Sequence, residues 1–129
     1  MKIYLCSCYS RRQELCGYRE VLSSLGHEIT SRWLDTEWPT NERGSTAAPD
    51  EHREEYSIKD MNDVQAADCL IAFTEPRESA GGRGGRHVET GMALAWNKRV
   101  VVVGHRENIF CYLPQVEFYE SWQDVIKAL

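Results

Sequence analysis

Apolar residues along this chain fall into short continuous runs, separated by longer stretches in which they recur every third or fourth position. Residues 2–8 form the first run and end in small and polar side chains, as a strand entering a loop does. Leu15, Tyr18, Val21, Leu22 and Leu25 then recur at helical spacing until Gly26, which predicts a helix over residues 11–25. Residues 27–34 predict a second strand. Residues 35–49 are polar and contain Pro39 and Pro49, the composition of a long loop of the kind that carries function. Pro49 opens a helix reaching about residue 67, with acids in its first turn where the helix dipole favours them. A third strand over residues 69–74 leads through a loop, residues 75–85, to a helix ending near residue 97. Residues 99–103 are the densest β-branched run, which places that strand at the expected centre of the sheet. A loop with one helical turn follows, then a short strand at 116–119 and a last helix capped by Ser121.

Strands separated by helical patterns of ten or more residues imply parallel crossovers. The expected architecture is therefore a single domain over residues 1–129, an α/β three-layer sandwich with a five-stranded parallel sheet, for which the flavodoxin-like order 2-1-3-4-5 is taken among the doubly wound orders. Ligands bind such sheets beyond the carboxyl ends of the strands, at the switch between the first and third. The loops after Cys8, Leu34, Thr74 and Gly104 meet there.

A chain of 129 residues is long enough to bury a core without disulfides or metals. Its net charge of −5 argues against wrapping nucleic acid or an anionic membrane surface, so the expected partner is a small molecule. The longest apolar run, residues 100–103, is far short of the roughly 18–20 residues of a membrane span, and no signal-peptide core precedes it. A soluble cytoplasmic protein is expected. The five cysteines are odd in number and three sit in strand-like segments, so they read as reduced thiols. With one C-x-C and four scattered histidines, no metal and no cofactor are expected.

One acid stands out against this background. Glu89 shares a helix face with Met92, Ala93 and Trp96, a buried face by its pattern. Burying a carboxylate is costly and raises its pKa. A first-turn Glu that merely complements the helix dipole is the plainer explanation, but Glu89 follows a glycine-rich loop, which is how open α/β sheets build ligand crevices. Two other segments reach the same edge. Residues 3–12 carry Ser7, Arg11 and Arg12 at a strand end before a helix N-terminus, where backbone N–H groups can hold a phosphate. Residues 60–68 carry Asp60, Asp63 and Asp68, with Asp60 sharing a helix face with Asp63 or Val64.

Together, Ile3-Tyr4 on the first strand, the D-M-N-x-V-x-x-x-D pattern from Asp60 to Asp68, and G-x-x-x-E-x-G-x-A from Gly85 to Ala93 followed by Asn97-Lys98-Arg99-Val100 resemble the nucleoside 2-deoxyribosyltransferase family, whose relatives include 2'-deoxynucleoside 5'-phosphate N-hydrolases. The resemblance covers roughly residues 2–125 and implies the same fold and cleavage of an N-glycosidic bond. It implies Glu89 as the nucleophile on C1', Tyr4 as its hydrogen-bonding partner and Asp60 as the group that protonates the leaving base. Gly85 belongs to the same loop. Six residues before Glu89, where the transferases have aspartate and the nucleotide hydrolases serine, this chain has Arg83, whose planar charge suits a 5'-phosphate. Ser7, Arg11, Arg12 and Arg86 are candidates to assist it. Asn108 matches the place where the family reaches into the neighbouring subunit's site, which implies a homodimer or larger homo-oligomer with shared active sites. Trp33, Trp38 and Tyr9 are candidate walls for the base, with Trp33 equally readable as core. Hydrolysis of a deoxynucleoside 5'-monophosphate leads on this basis. The alternatives are base exchange between deoxynucleosides and a nucleotide-binding module without turnover; purine versus pyrimidine stays open.

Overall fold

The computed structural model describes residues 1–38, 48–76 and 84–129. Its sheet has five parallel strands, β1 (Lys2–Cys6), β2 (Glu28–Ile29), β3 (Cys69–Phe73), β4 (Arg99–Val103) and β5 (Val116–Tyr119), in the order β2-β1-β3-β4-β5. The helices are α1 (Arg12–Ser24), α2 (Arg53–Ala66), α3 (Gly85–Ala95) and α4 (Trp122–Ala128). The doubly wound flavodoxin-like sandwich and its strand order are as the sequence implies. Among the described residues no helix is long and apolar enough to cross a membrane.

Strand alternation assigns the faces. Tyr4 pairs with Leu70 and Cys6 with Ala72, so these four side chains share one face, under α2 and α3. On the other face Phe73 stacks on Tyr18 of α1 at 5.1 Å and meets Trp122 of α4 at 5.8 Å between ring centroids. Every residue of β3 is buried. That strand, and not β4, is the centre of the sheet. The valines of β4 are buried too, and β-branched density reports burial on two faces rather than rank in the strand order.

β2 is also shorter than its sequence suggests. After Thr30, whose amide still donates to the Ile3 carbonyl, the ladder to β1 is continued by side chains: Ser31 Oγ accepts from the Leu5 amide, and Trp33 Nε1 donates to the Leu5 carbonyl at 2.9 Å. The backbone is thereby released into a 3-10 turn, Arg32–Asp35, in which Trp33 and Leu34 are both buried, a pattern no strand with one solvated face would give. The helix expected from Pro49 starts as a 3-10 turn, Asp50–His52, before α2. Where β3 and β4 end together, Gly104 has φ +121°, and a Cβ there would run into Thr74 Oγ1, which itself accepts from the His105 amide at 2.8 Å. The polar stretch Asn41-Glu42-Arg43-Gly44-Ser45-Thr46 and Arg83 lie outside the described residues.

Candidate active site

α2 and α3 run side by side over the carboxyl half of β1, and each lowers one acid toward Tyr4. Gly84, with φ +94°, turns the chain into α3, so that Glu89 falls in its second turn, facing β1. Among the described residues Glu89 Oε2 is buried and has no hydrogen-bond partner, although the residue as a whole keeps some exposed surface. The Tyr4 ring is fully buried, and its hydroxyl likewise lacks a partner among the described residues. The two groups sit close enough to perturb each other without completing a well-formed hydrogen bond. Two unpaired buried polar groups facing each other are costly in a folded protein, and a cleft that awaits a polar ligand is the usual place for them.

The electrostatics tie Asp60 to the same spot. Burial first, then the charges of Glu89 and Asp60, push the Tyr4 phenol well above its ordinary value. Burial raises Glu89 to about 8, against the help of the Tyr4 hydroxyl; Asp60 adds to the rise and Arg86 opposes it. Asp60, partly buried, is raised to about 6 by burial and by Asp63, with Lys59 and Arg32 opposing. The two acids are coupled, so between about pH 6 and 8 the pair holds one proton. Cys6, two residues beyond Tyr4, is kept a neutral thiol by burial and by its neighbour Glu89.

The other sequence candidates are distributed unevenly. Gly85 lies against the acid: a Cβ there would touch Glu89 Oε1 at 3.8 Å, ordinary contact. Ser7 hydrogen-bonds the Cys8 carbonyl at the end of β1. The guanidinium groups read as phosphate ligands have partners in the chain. Arg86 is clamped on Glu107 by two 2.7 Å bonds, and Glu107 also accepts from the Glu75 amide. Arg11 binds Glu14 and the Thr74 carbonyl, and Arg12 binds the Thr36 carbonyl and Glu37. Trp33 is 8% exposed and tied to Leu5, a core position beside the site. Tyr9 and Trp38 stack at 4.4 Å, with Tyr56 tilted against Trp38 at 5.8 Å, an aromatic group nearer the surface. Asn108 is exposed and caps the 3-10 turn Ile109–Tyr112 by accepting from the Phe110 amide.

Two charged groups have partners that the sequence did not show. Glu107 ties its own loop to two segments, α3 through Arg86 and, at 3.6 Å, His87, and the end of β3 through the Glu75 amide. Asp63 is buried and ion-paired with Arg32 at 2.7 Å. Only the second left a signal, a further acid one turn from Asp60. A groove of about 530 Å³ opens on the opposite flank of α3, floored by Ala72, Val102 and Val116 and walled by Leu94 and Phe110. It exists because the connection from β4 to β5 supplies one 3-10 turn where a crossover helix would cover the sheet. Tyr4, Asp60 and Glu89 do not line it, so it is separate from the paired acids. Among the described residues no group of three or more His, Cys, Asp or Glu gathers as a metal site requires.

No protein-family model and no curated protein matches the chain. Solved structures do. The CMP N-glycosidase of Clostridium botulinum superposes with a TM-score of 0.62 at 17% identity, covering 99% of this chain and 97% of that one. A 2-desoxiribosyltransferase from Leishmania mexicana superposes with a TM-score of 0.63 at 13% identity, covering 98% and 95%. At these identities the likeness is one of fold.

Proposed function

We propose that this protein cleaves the N-glycosidic bond of a 2'-deoxynucleoside 5'-monophosphate by way of a covalent deoxyribosyl-Glu89 intermediate. The observation that carries the reading is the meeting of two coupled acids from neighbouring helices over the buried, unpartnered Tyr4 hydroxyl. The fold likeness to an N-glycosidase and a deoxyribosyltransferase supports it. A Glu89 oxygen attacks C1', the electrons of the C1'–N bond pass to the base, and the base takes the proton of Asp60. Tyr4 donates to the ionised Glu89 carboxylate, holding it before attack and again as it departs. Water then attacks C1' and releases Glu89, handing a proton to the Asp60 carboxylate. A free base in place of that water gives base exchange, the second reading.

Chromatography of the protein incubated with deoxynucleosides, their monophosphates and the corresponding ribonucleotides, with and without an acceptor base, tests this. Free base and deoxyribose 5-phosphate are expected. The ribonucleotides belong in the panel because the Clostridium botulinum neighbour is named for CMP. Saturable nucleotide binding with no base released from any of them establishes the binding module instead.

Arg83 is the proposed phosphate ligand. A charge-assisted pair of about 2–3 kcal/mol corresponds to roughly 30- to 150-fold in kcat/KM. Arg83→Ala is therefore expected to penalise the monophosphate by that factor and leave the nucleoside unaffected. Equal losses for both substrates remove the phosphate role.

A second copy of the chain is the proposed partner. Ile109, Phe110 and Tyr112 are 76%, 61% and 67% exposed, an apolar group beside the groove and next to Asn108. Sedimentation equilibrium is expected to find a dimer or larger assembly, and a monomer active at full rate would remove Asn108 from the site.

A further inference from the structure

Asp63 is the one acid among the described residues buried to within 4% exposure, and hydrogen bonding alone does not explain its charge. Its Oδ1 accepts from Arg32 Nε at 2.7 Å and its Oδ2 from the Arg32 amide at 3.0 Å, while its carbonyl accepts the Thr30 hydroxyl at 2.9 Å. These bonds latch the end of β2 to α2. An asparagine would hold the same backbone N–H at a lower desolvation cost. Beyond its ion pair with Arg32, what a carboxylate adds is a negative charge one helical turn from Asp60, on the same face of α2.

The charges around Asp60 are few. Lys59 and Asp63 lie on its own helix, Arg32 on the turn after β2, Tyr4 on β1 and Glu89 on α3. Asp63 has a larger effect than either cation taken singly. Glu89 holds the shared proton more tightly in the empty site. The reaction needs that proton on Asp60.

We propose that Asp63 is a positioning residue for the proton of the Asp60–Glu89 pair, its fixed negative charge drawing the proton toward Asp60 so that Glu89 is ionised to attack. This rests on the glycosidic reading above. In the singly protonated pair the productive arrangement is the minor one, and its share scales directly with the proton affinity of Asp60. A neighbouring charge of this kind changes that affinity by about one pH unit or more, hence about tenfold.

Asp63→Asn keeps an acceptor for the Arg32 amide and removes the charge. With a deoxynucleoside monophosphate, kcat/KM at neutral pH is expected to fall about tenfold and the acid limb of the profile to move about one pH unit lower. At still lower pH the rates of the two proteins converge, because ionising Glu89 from the fully protonated pair does not draw on Asp63. Carbon NMR of the Asp60 carboxyl follows the same midpoint with no substrate present. A midpoint lowered in a protein that releases no base supports the coupling and overturns the proposed reaction alone. Should Asp63→Asn fail to fold, Asp63→Asn with Arg32→Gln replaces the ion pair by neutral amides, and a smaller shift in the same direction is expected. An unmoved Asp60 titration in a folded variant, or a loss of rate uniform across pH, leaves Asp63 a latch and overturns the proposal.

Discussion

Glu89→Gln is expected to abolish base release and, at alkaline pH, to make the protein more stable. The first effect removes the nucleophile; losses of at least about 10⁴-fold follow when the group that forms the covalent bond is replaced. The second follows from burial. Glu89 ionises at about 8 in the folded chain, whereas in the unfolded chain it ionises near 4.5. Between those values the native state holds a proton that the unfolded state has already lost, so stability falls as pH rises and the loss is complete above about 8. The cost is on the order of 3–5 kcal/mol at pH 9, and a glutamine does not incur it. Urea unfolding at pH 4.5 and pH 9 checks it. The variant and the parent should be similar at the lower pH and separate at the higher. Full turnover by a folded Glu89→Gln protein ends the mechanism, and a stability difference that ignores pH shows that the carboxyl is not held neutral by its surroundings.

That gain in stability on losing the acid is a mark of a site rather than of a core, and much of it was legible from the chain. The helical spacing of Met92 and Ala93 put Glu89 on an inward face, and Ala93 is fully buried; Trp96, assigned to that face too, is 37% exposed, because α3 ends at Ala95 and its last turn passes beyond the sheet. The parallel sandwich followed from crossover length, while its strand order is one of several that doubly wound sheets adopt. Rank within the sheet did not, since the valines of β4 and the mixed residues of β3 are equally buried. Nor did the end of β2, where Ser31 and Trp33 replace backbone by side-chain hydrogen bonds at single positions that no periodicity encodes. The arginines mark the larger gap. Arg11 has its partner Glu14 three residues on, within reach of a sequence reading, whereas only the fold brings Glu37 to Arg12 and Glu107 to Arg86. Glu107 reaches Arg86 from 21 residues away, so no local pattern points to it. Convergence of Tyr4, Asp60 and Glu89 was implied by family resemblance, whereas the tuning of Asp60 by Asp63 needed the helix face and the ion pair together.

Asp60→Asn is expected to cause a milder but still large loss, and chiefly for bases that leave poorly. A nucleobase expelled as an anion needs a proton in the transition state, and an asparagine has none to give, so kcat/KM is expected to fall by about 10²- to 10⁴-fold. A 7-methylated purine departs neutral without that proton. Its nucleotide should lose far less. The pH profiles separate the two acids further. For an ordinary base the parent protein acts only while its pair holds one proton, rising near 6 and falling near 8. With Asp60 replaced, Glu89 is freed of a neighbouring negative charge and ionises below its present value of about 8. On the methylated nucleotide both proteins should therefore rise with pH through the ionisation of Glu89, the variant earlier than its parent, and then stay level. A fall near pH 8 is expected only where the parent works on an ordinary base. If the variant loses as much on the methylated nucleotide as on the ordinary one, Asp60 acts on something other than the leaving base, and the proton it holds has no part in breaking the bond.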